Sequence, residues 1–566
     1  MCPFTKPTVT APYYYVYNID MYEEDPRADL RYGTTSGLLA DVSQRLGPCE
    51  AIVDGKLRLS YAQLDTAVSA AAAAIIGAGV AKGDRVAIWA PNSALWIVAA
   101  LGLQRAGAVL IPINTRFLGD EAAFILEKSR AKILFTTTDF LGRDYPASLA
   151  EAAGGYGAQR PVAGLRDLHQ IVNLSGPLSR QTQSWDDFLE VGRRVKADEV
   201  ERRAASLTPE DLSDILFTSG TTGRPKGAMC THGQTLRAYA VWNAVVGLRE
   251  GDRYLIVNPF FHGFGYKSGW LASILAGATI VPMQTLDVPA VLATVRAERI
   301  TVLPGTPTLF QTMLEHPEYT PAGVGTLRLV VTGAANVPAE LLYRIKREIG
   351  FEHIVTGYGL TESCAIVSMC RYDDPLEVVA SSAGRPLPGV EVAIISPEGA
   401  PQPMGHDGEI LVRGYTLMQG YLDEAAETDS TIDAQGWLHT GDIGVLDEAG
   451  RLHITDRLKD MFIVGGFNAY PAEIEQILSR HPDIAQVAVI GVPDERMGET
   501  GTAFVIARAS RKVTPEDVIA FSRAHMANYK VPRHIYIVDD LPLNASGKVL
   551  KNELRSRAAA RVAALG

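Results

Sequence analysis

The sequence predicts an α/β fold: a large N-terminal domain of doubly wound sheets carrying a small β-barrel-like subdomain, then a small α+β C-terminal domain. Three observations predict it. Short apolar runs alternate with helix-period stretches from residue 50 to 140 and again from 214 to 332, as parallel strands joined by helices do. Ala383 to Leu446 is rich in glycine and proline and leans to β, which suits a barrel or small sheet. At 566 residues the chain exceeds what one hydrophobic core serves, so at least two domains are expected.

In chain order, Asp54-Gly55 between two β-like runs reads as a hairpin turn. Ser60 and Gln63 have capping-box spacing and open a helix ending near Gly77 or Gly79. Arg85–Trp89 is expected as a strand, Ser93–Arg105 as a helix, Ala108–Ile111 as a strand, Asp120–Ser129 as a helix and Ile133–Phe135 as a strand. Residues 138–205 read as irregular, apart from a helix near Trp185–Phe188. Alternation resumes with strands at Asp214–Phe217, Tyr254–Val257, Thr279–Val281, Thr301–Leu303, Leu327–Thr332 and Ile354-Val355. Beyond the β-rich stretch, helices are expected over Pro471–Arg480 and Pro515–Met526, with strands over Gln486–Ile490 and Thr502–Ala507. The domain division is placed near Asp456–Asp460, giving 1–36 as an extension, 37–458 as the large domain and 459–566 as the small one.

Composition narrows the function. With 47% hydrophobic and 21% charged residues the chain reads as a soluble globular protein. A net charge of -11 argues against nucleic acid as the main partner, so any site for a polyanion must be locally basic. Cys2, Cys49, Cys230, Cys364 and Cys370 are scattered, without a C-x-x-C pair, which suits a reducing cytoplasm rather than a disulfide framework or zinc site. Cys364 is expected to be a small buried thiol. The start lacks a basic-then-apolar signal, and Ala70–Ala78 is too short to span a bilayer, so no transmembrane segment is expected. Tyr13–Tyr15 suit either an arm docking on a partner chain, as in a homo-oligomer, or a loosely ordered extension.

The chemistry concentrates in Thr218-Ser219-Gly220-Thr221-Thr222-Gly223-Arg224-Pro225-Lys226-Gly227, directly after the Asp214–Phe217 strand. Glycines let successive N–H groups turn inward as an anion nest, hydroxyls add donors, and Lys226 adds a mobile point charge suited to phosphate. The spacing is not that of a Walker A loop, since Gly223 is not followed by Lys-Ser/Thr. Further on, Gly357-Tyr358-Gly359-Leu360-Thr361-Glu362-Ser363 offers an aromatic face between glycines, a hydroxyl and a hard oxygen ligand suited to Mg²⁺. Gly333-Ala334-Ala335 ends a strand, where ligands gather in open α/β sheets.

The loop from Ile215 to Gly227 resembles the phosphate loop of the adenylate-forming superfamily, which includes acyl-CoA synthetases, and the resemblance runs from about Leu38 to Lys551. It implies that Thr218, Ser219, Gly220, Thr221, Thr222 and Lys226 hold ATP phosphates, and that Gly333, Ala334, Ala335, Gly357, Tyr358 and Gly359 frame the adenine. By the same resemblance Thr361 contacts phosphate, Glu362 holds Mg²⁺, and Asp442 of Trp437–Asp442, with Arg457, holds the ribose. Gly465, Gly466 and Phe467 match the loop lining the coenzyme A tunnel, although many relatives carry an acidic residue where Phe467 stands. Lys548, in the P-x-x-x-x-G-K string starting at Pro542, matches the lysine that stabilises charge during adenylation, and Leu543 replaces a basic residue frequent there. Lys459 matches the hinge about which a mobile C-terminal lid rotates. His262 matches a gating histidine near the substrate carboxylate. The aromatic run Phe260, Phe261, Phe264 and Tyr266 reads as an apolar acid pocket, and Lys267 as the one nearby cation able to meet a second polar group.

The implied activity is an AMP-forming acyl-CoA synthetase using ATP, Mg²⁺ and coenzyme A on a bulky apolar carboxylic acid. The stretches Asn258–Gly269 and Met461–Glu475 look most like actinobacterial ligases for fatty acids and steroid-ring propanoates. Two alternatives stand beside it: loading a separate carrier protein, or an inactive nucleotide-binding scaffold. A self-loading arrangement is not expected, since no carrier domain follows Lys548.

Overall fold

Two mainly parallel sheets carry most of the chain. The computed structural model describes residues 25–563 except 159, 219–224, 334–336, 338, 458–459, 465–466, 495, 509–510 and 544–548. The first sheet has seven strands in the order Gln183–Ser184, Gln170–Ser175, Ile133–Thr137, Arg85–Trp89, Val109–Pro112, Leu212–Thr218 and Lys226–Thr231. Only its last pair is antiparallel, with Thr218 opposite Lys226 at the sheet edge.

The second sheet has nine strands. Its parallel centre runs His353–Tyr358, Leu329–Thr332, Val302–Gly305, Arg253–Ile256, Thr279–Pro282 and Glu50–Asp54. Antiparallel strands Leu57–Ser60, Ser368–Met369 and Arg385–Pro386 close its edges. The Asp54-Gly55 turn forms as expected, with Gly55 at φ 59°.

One core cluster joins the two sheets, reaching from Val86, Ile88 and Leu110 to Tyr254, Ile256 and Val302 through the helices between them. The alanine-rich helix Tyr61–Gly77 starts at the Ser60/Gln63 capping box and packs against Ala94–Arg105. A Cβ on Gly102 would lie 2.6 Å from the Ala71 methyl, so small side chains are what let these helices approach. Among the described residues no helix is long and apolar enough to cross a membrane.

The stretch read as irregular is more ordered than its sequence suggests. It holds helices Tyr145–Ala152 and Ala197–Ala205 as well as Trp185–Gly192, and the strand Gln170–Ser175. That strand is hidden in the sequence by a buried Asn173, whose NH2 group donates to the carbonyls of Gly176 (3.0 Å) and Pro177 (3.2 Å), while its Oδ1 finds no partner among the described residues.

The β-leaning stretch forms a four-stranded antiparallel sheet: Val390–Ile395, Gly408–Gly414, Leu438–Leu446 and Leu452–Arg457. The C-terminal part has its own five-stranded sheet, in which Ile484–Asp494 and Gly498–Ala507 form the long central hairpin. Two separate clusters pack it, one around Phe462, Ile474 and Val505, the other around Ile490, Phe504 and Leu554.

Candidate active site

Lys226 starts the edge strand Lys226–Thr231. Its side chain is only 10% exposed, its Nζ lies 2.8 Å from Glu427 Oε2, and the same Nζ sits 5.3 Å from the centre of the Tyr421 ring. The lysine read as a mobile point charge is therefore held in place, because its stem is buried and its ammonium meets both a carboxylate and a ring. Thr218 Oγ1 donates a long bond to the Lys226 carbonyl (3.5 Å). Ser219, Gly220, Thr221 and Thr222 lie outside the described residues.

Residues 418–422 run alongside the Lys226–Thr231 strand and fix Tyr421 there. Met229 N–H donates to the Gly420 carbonyl (3.0 Å), Gln419 to Met229 (2.8 Å) and Leu422 to Gly227 (2.8 Å). Met418 N–H donates to the Glu362 carbonyl (2.8 Å), which ties the same segment to the turn Thr361–Ser363. The Tyr421 hydroxyl then donates to Glu362 Oε1 at 2.7 Å. Burial, and after it the Glu362 carboxylate, push the Tyr421 phenol pKa up, so it stays a donor. One tyrosine thus touches both Lys226 and Glu362, expected from the sequence to serve phosphate and Mg²⁺.

The residues expected at the adenine and ribose also meet. Tyr358, half-buried at the end of its strand, donates its hydroxyl to Asp442 Oδ2 at 2.5 Å. Asp442 is 5% exposed and lies opposite Arg457 in the antiparallel ladder, so the two predicted ribose contacts are cross-strand neighbours. Thr332 pairs with Thr356, which sets Gly333 and Gly357 side by side at the carboxyl ends of parallel strands. A Cβ on Gly333 would lie 3.5 Å from the Gly357 carbonyl. Gly359 is packed hard: a Cβ there would meet Ala365 O and Ile366 N at 2.5 Å. Ala334 and Ala335 lie outside the described residues.

On the acid side, His262 follows the strand Arg253–Ile256 and is half-buried; its Nδ1 accepts from Phe264 N–H at 3.2 Å. Burial lowers its pKa, favouring the neutral imidazole that this bond requires. A Cβ on Gly263 would meet the Ala365 methyl at 2.5 Å, so this segment abuts the loop that carries Thr361 and Glu362.

The four predicted pocket aromatics divide. Phe261 and Phe264 keep exposed surface. Phe260 and Tyr266 are corrections: both are fully buried, Phe260 edge-on to Trp96 at 5.3 Å and Tyr266 stacked on Trp270 at 4.8 Å. Tyr266 spends its hydroxyl on Asp214 Oδ2 (3.3 Å) and on the Gln104 amide (3.0 Å). Lys267 is a further correction. It is completely buried, 3.0 Å from Asp214 Oδ1, and so has no reach toward a substrate.

Lys459, Gly465, Gly466 and Lys548 lie outside the described residues, while Phe467 begins the short strand Phe467–Ala469. Cys364 is the buried thiol expected, 3.4 Å from the sulfur of Cys230. Sequence reasoning missed Tyr421, Glu427 and Asp214. For Asp214 a signal existed, an acid inside an apolar strand run; for Tyr421 and Glu427 the local composition carries none.

Residues 40–422 match the family described as AMP-binding enzyme, and 473–548 match the AMP-binding enzyme C-terminal domain. The chain belongs to the AMP-binding enzyme family. Two curated relatives, from Rhodococcus jostii (strain RHA1) and Mycobacterium tuberculosis (strain ATCC 25618 / H37Rv), are each named 3-[(3aS,4S,7aS)-7a-methyl-1,5-dioxo-octahydro-1H-inden-4-yl]propanoyl:CoA ligase. The first is 47% identical over 92% of this chain and 98% of its own length, the second 46% identical over 93% and 99%. Among solved structures, the anthranilate CoA ligase AuaEII in complex with anthranoyl-AMP superimposes with a TM-score of 0.85 at 27% identity, over 95% of this chain and 99% of that one.

Proposed function

We propose that this AMP-binding enzyme is an ATP-dependent, AMP-forming carboxylic acid:CoA ligase whose acid is bulky, apolar and ring-bearing. The observation that carries the site reading is the contact chain Lys226–Tyr421–Glu362, four residues from the Tyr358–Asp442 bond. Phosphate-side, metal-side and ribose-side residues from three sheets converge there, as a nucleotide site requires. Relatives that join ring-bearing acids to coenzyme A support the choice of substrate class and disfavour the carrier-protein and scaffold alternatives.

In this reading Thr218, Ser219, Gly220, Thr221, Thr222 and Lys226 hold the β- and γ-phosphates, with Thr361 beside them. Tyr358 stacks on adenine, framed by Gly333, Ala334, Ala335, Gly357 and Gly359, while Asp442 and Arg457 accept and orient the ribose. Among the described residues no group of three or more His, Cys, Asp or Glu could hold a metal, whereas Glu362 offers one carboxylate. That donor set fits Mg²⁺ arriving with the nucleotide, which takes one or two carboxylates and completes its shell with phosphate and water. Bound there, the ion would neutralise phosphate charge.

His262 stands beside the substrate carboxylate, and Phe261 and Phe264 meet its apolar body. Lys548 stabilises charge as the carboxylate attacks the α-phosphorus and pyrophosphate leaves. Residues 459–566 then rotate about Lys459 as a lid, withdrawing Lys548 and bringing Gly465, Gly466 and Phe467 to the thiol that displaces AMP.

The test is pyrophosphate release over a panel of fatty, aryl, alicyclic and fused-ring acids, followed by thioester formation with coenzyme A or a carrier protein. A ring-bearing acid should exceed acetate greatly in kcat/KM, since each buried methylene contributes about 0.8 kcal/mol. Equal values would refute the substrate class, and acyl release to a carrier but not to coenzyme A would refute the ligase assignment.

A further inference from the structure

Lys226 is the charge that the phosphate loop supplies at its described end, and in this structure that charge is already taken. Its Nζ is 2.8 Å from Glu427 Oε2. The two partners differ in exposure: the lysine side chain is 10% exposed and the glutamate 37%. Glu427 rides on the short helix Ala425–Thr431, which is pinned to the site because Thr428 Oγ1 accepts from Tyr421 N–H at 2.9 Å. Tyr421 in turn lies under the Lys226 ammonium and bonds Glu362. The glutamate is thus built into the site rather than met by chance on the surface.

Water and salt reach this ion pair from the glutamate side, which weakens it. A polyphosphate brings more negative charge to the same ammonium, together with acceptor oxygens suited to hydroxyl and N–H donors. A carboxylate left beside it would repel the arriving phosphate. Glu427 has solvent to turn into, whereas the buried stem of Lys226 stays where it is.

We propose that Glu427 is a positioning residue, a counter-ion that holds Lys226 in the nucleotide-free enzyme and is displaced by ATP phosphate, so that nucleotide entry is an exchange of anions at one lysine. This rests on the reading above that Lys226 binds phosphate. The exchange sets a threshold: ligands of low charge do not free the lysine, and polyphosphates do.

The test is calorimetric titration of the full-length chain with Mg²⁺ and the α,β-methylene analogue of ATP, without acid or coenzyme A. Glu427→Gln removes the competing charge and keeps the shape, so binding should tighten about three- to tenfold. Lys226→Ala should weaken binding about tenfold or more. Adding Glu427→Gln on the Lys226→Ala background should change affinity less than about twofold, because the glutamate acts only through the lysine. A structural role alone would not tighten binding, nor lose its effect when the lysine is removed. Unchanged or weakened binding in Glu427→Gln overturns the proposal, as does equal tightening on both backgrounds. If Lys226→Ala itself binds normally, the phosphate reading of Lys226 fails first, which is a separate result.

Discussion

Lys267→Met should destabilise the large domain by about 3–4 kcal/mol, the cost of orphaning a buried charge. The partners are both 0% exposed and 3.0 Å apart. At an effective dielectric of 20 their attraction is about 5 kcal/mol, offset by a desolvation penalty of several kcal/mol for each ion. The intact pair therefore contributes little, and the loss on breaking it is the uncompensated burial of the survivor. A ceiling exists, because the survivor can neutralise itself. At pH 7 that costs about 4 kcal/mol for an aspartate and about 5 kcal/mol for a lysine. In Lys267→Met, Asp214 still accepts from Ser213 Oγ at 2.6 Å and Tyr266 OH at 3.3 Å, which softens the loss. In Asp214→Asn the surviving Lys267 has no comparable acceptor, so this variant should be the worse of the two.

The double variant removes both charges and should recover to within about 2 kcal/mol of the native enzyme. The pH dependences should have opposite signs. An orphaned Asp214 has a raised folded pKa, so Lys267→Met regains stability as pH falls and loses it as pH rises. An orphaned Lys267 has a lowered folded pKa, so Asp214→Asn regains stability as pH rises. Urea unfolding followed by tryptophan fluorescence reads this cleanly, since all six tryptophans lie between Trp89 and Trp437. Equal destabilisation in both single variants and the double, with no pH dependence, would show that packing rather than charge is at stake and would refute the argument.

His232 is 1% exposed, and burial pushes its pKa down to about 4, so folding should lose about 3 kcal/mol as pH falls from 6.5 toward 4. His232→Asn keeps an acceptor for Thr35 N–H and should flatten that limb of the urea-unfolding pH profile. Gly359→Ala places a methyl 2.5 Å from the Ala365 carbonyl and should raise the KM for ATP about tenfold or more in pyrophosphate release while lowering stability in urea unfolding by about 1–3 kcal/mol. Lys548→Ala should slow adenylate formation about 10²–10³-fold yet convert preformed acyl-adenylate to thioester near the native rate. Lys459→Pro, which restricts the hinge, should release pyrophosphate and transfer poorly. Equal loss of both half-reactions in both variants would reject the two-conformer reading.

The strand–helix alternation was legible because burial on both faces of a parallel strand leaves a continuous apolar run, as in Arg85–Trp89 and Thr279–Pro282. Caps were legible because the Ser60/Gln63 box is a local bond between residues three apart. Gln170–Ser175 was not, since its Asn173 finds its acceptors only once the chain turns back at Gly176 and Pro177. The aromatic run Phe260–Tyr266 shows the same limit. Sequence places four rings close together, but only packing decides that Phe260 and Tyr266 face the core while Phe261 and Phe264 do not.

By itself the sequence determined the α/β class, the order of the nucleotide motifs and the chemical kind of each, because these depend on residue type and on spacing along one stretch of backbone. The tertiary structure alone decided which residues share a contact. Tyr421 meets Lys226 and Glu362 from about 195 and 59 positions away through a segment added to a sheet edge. Lys267 meets Asp214 across 53 positions and is thereby held in the core. Side-chain contacts at such separations are set by the packing of whole sheets, and no local pattern of residues encodes them.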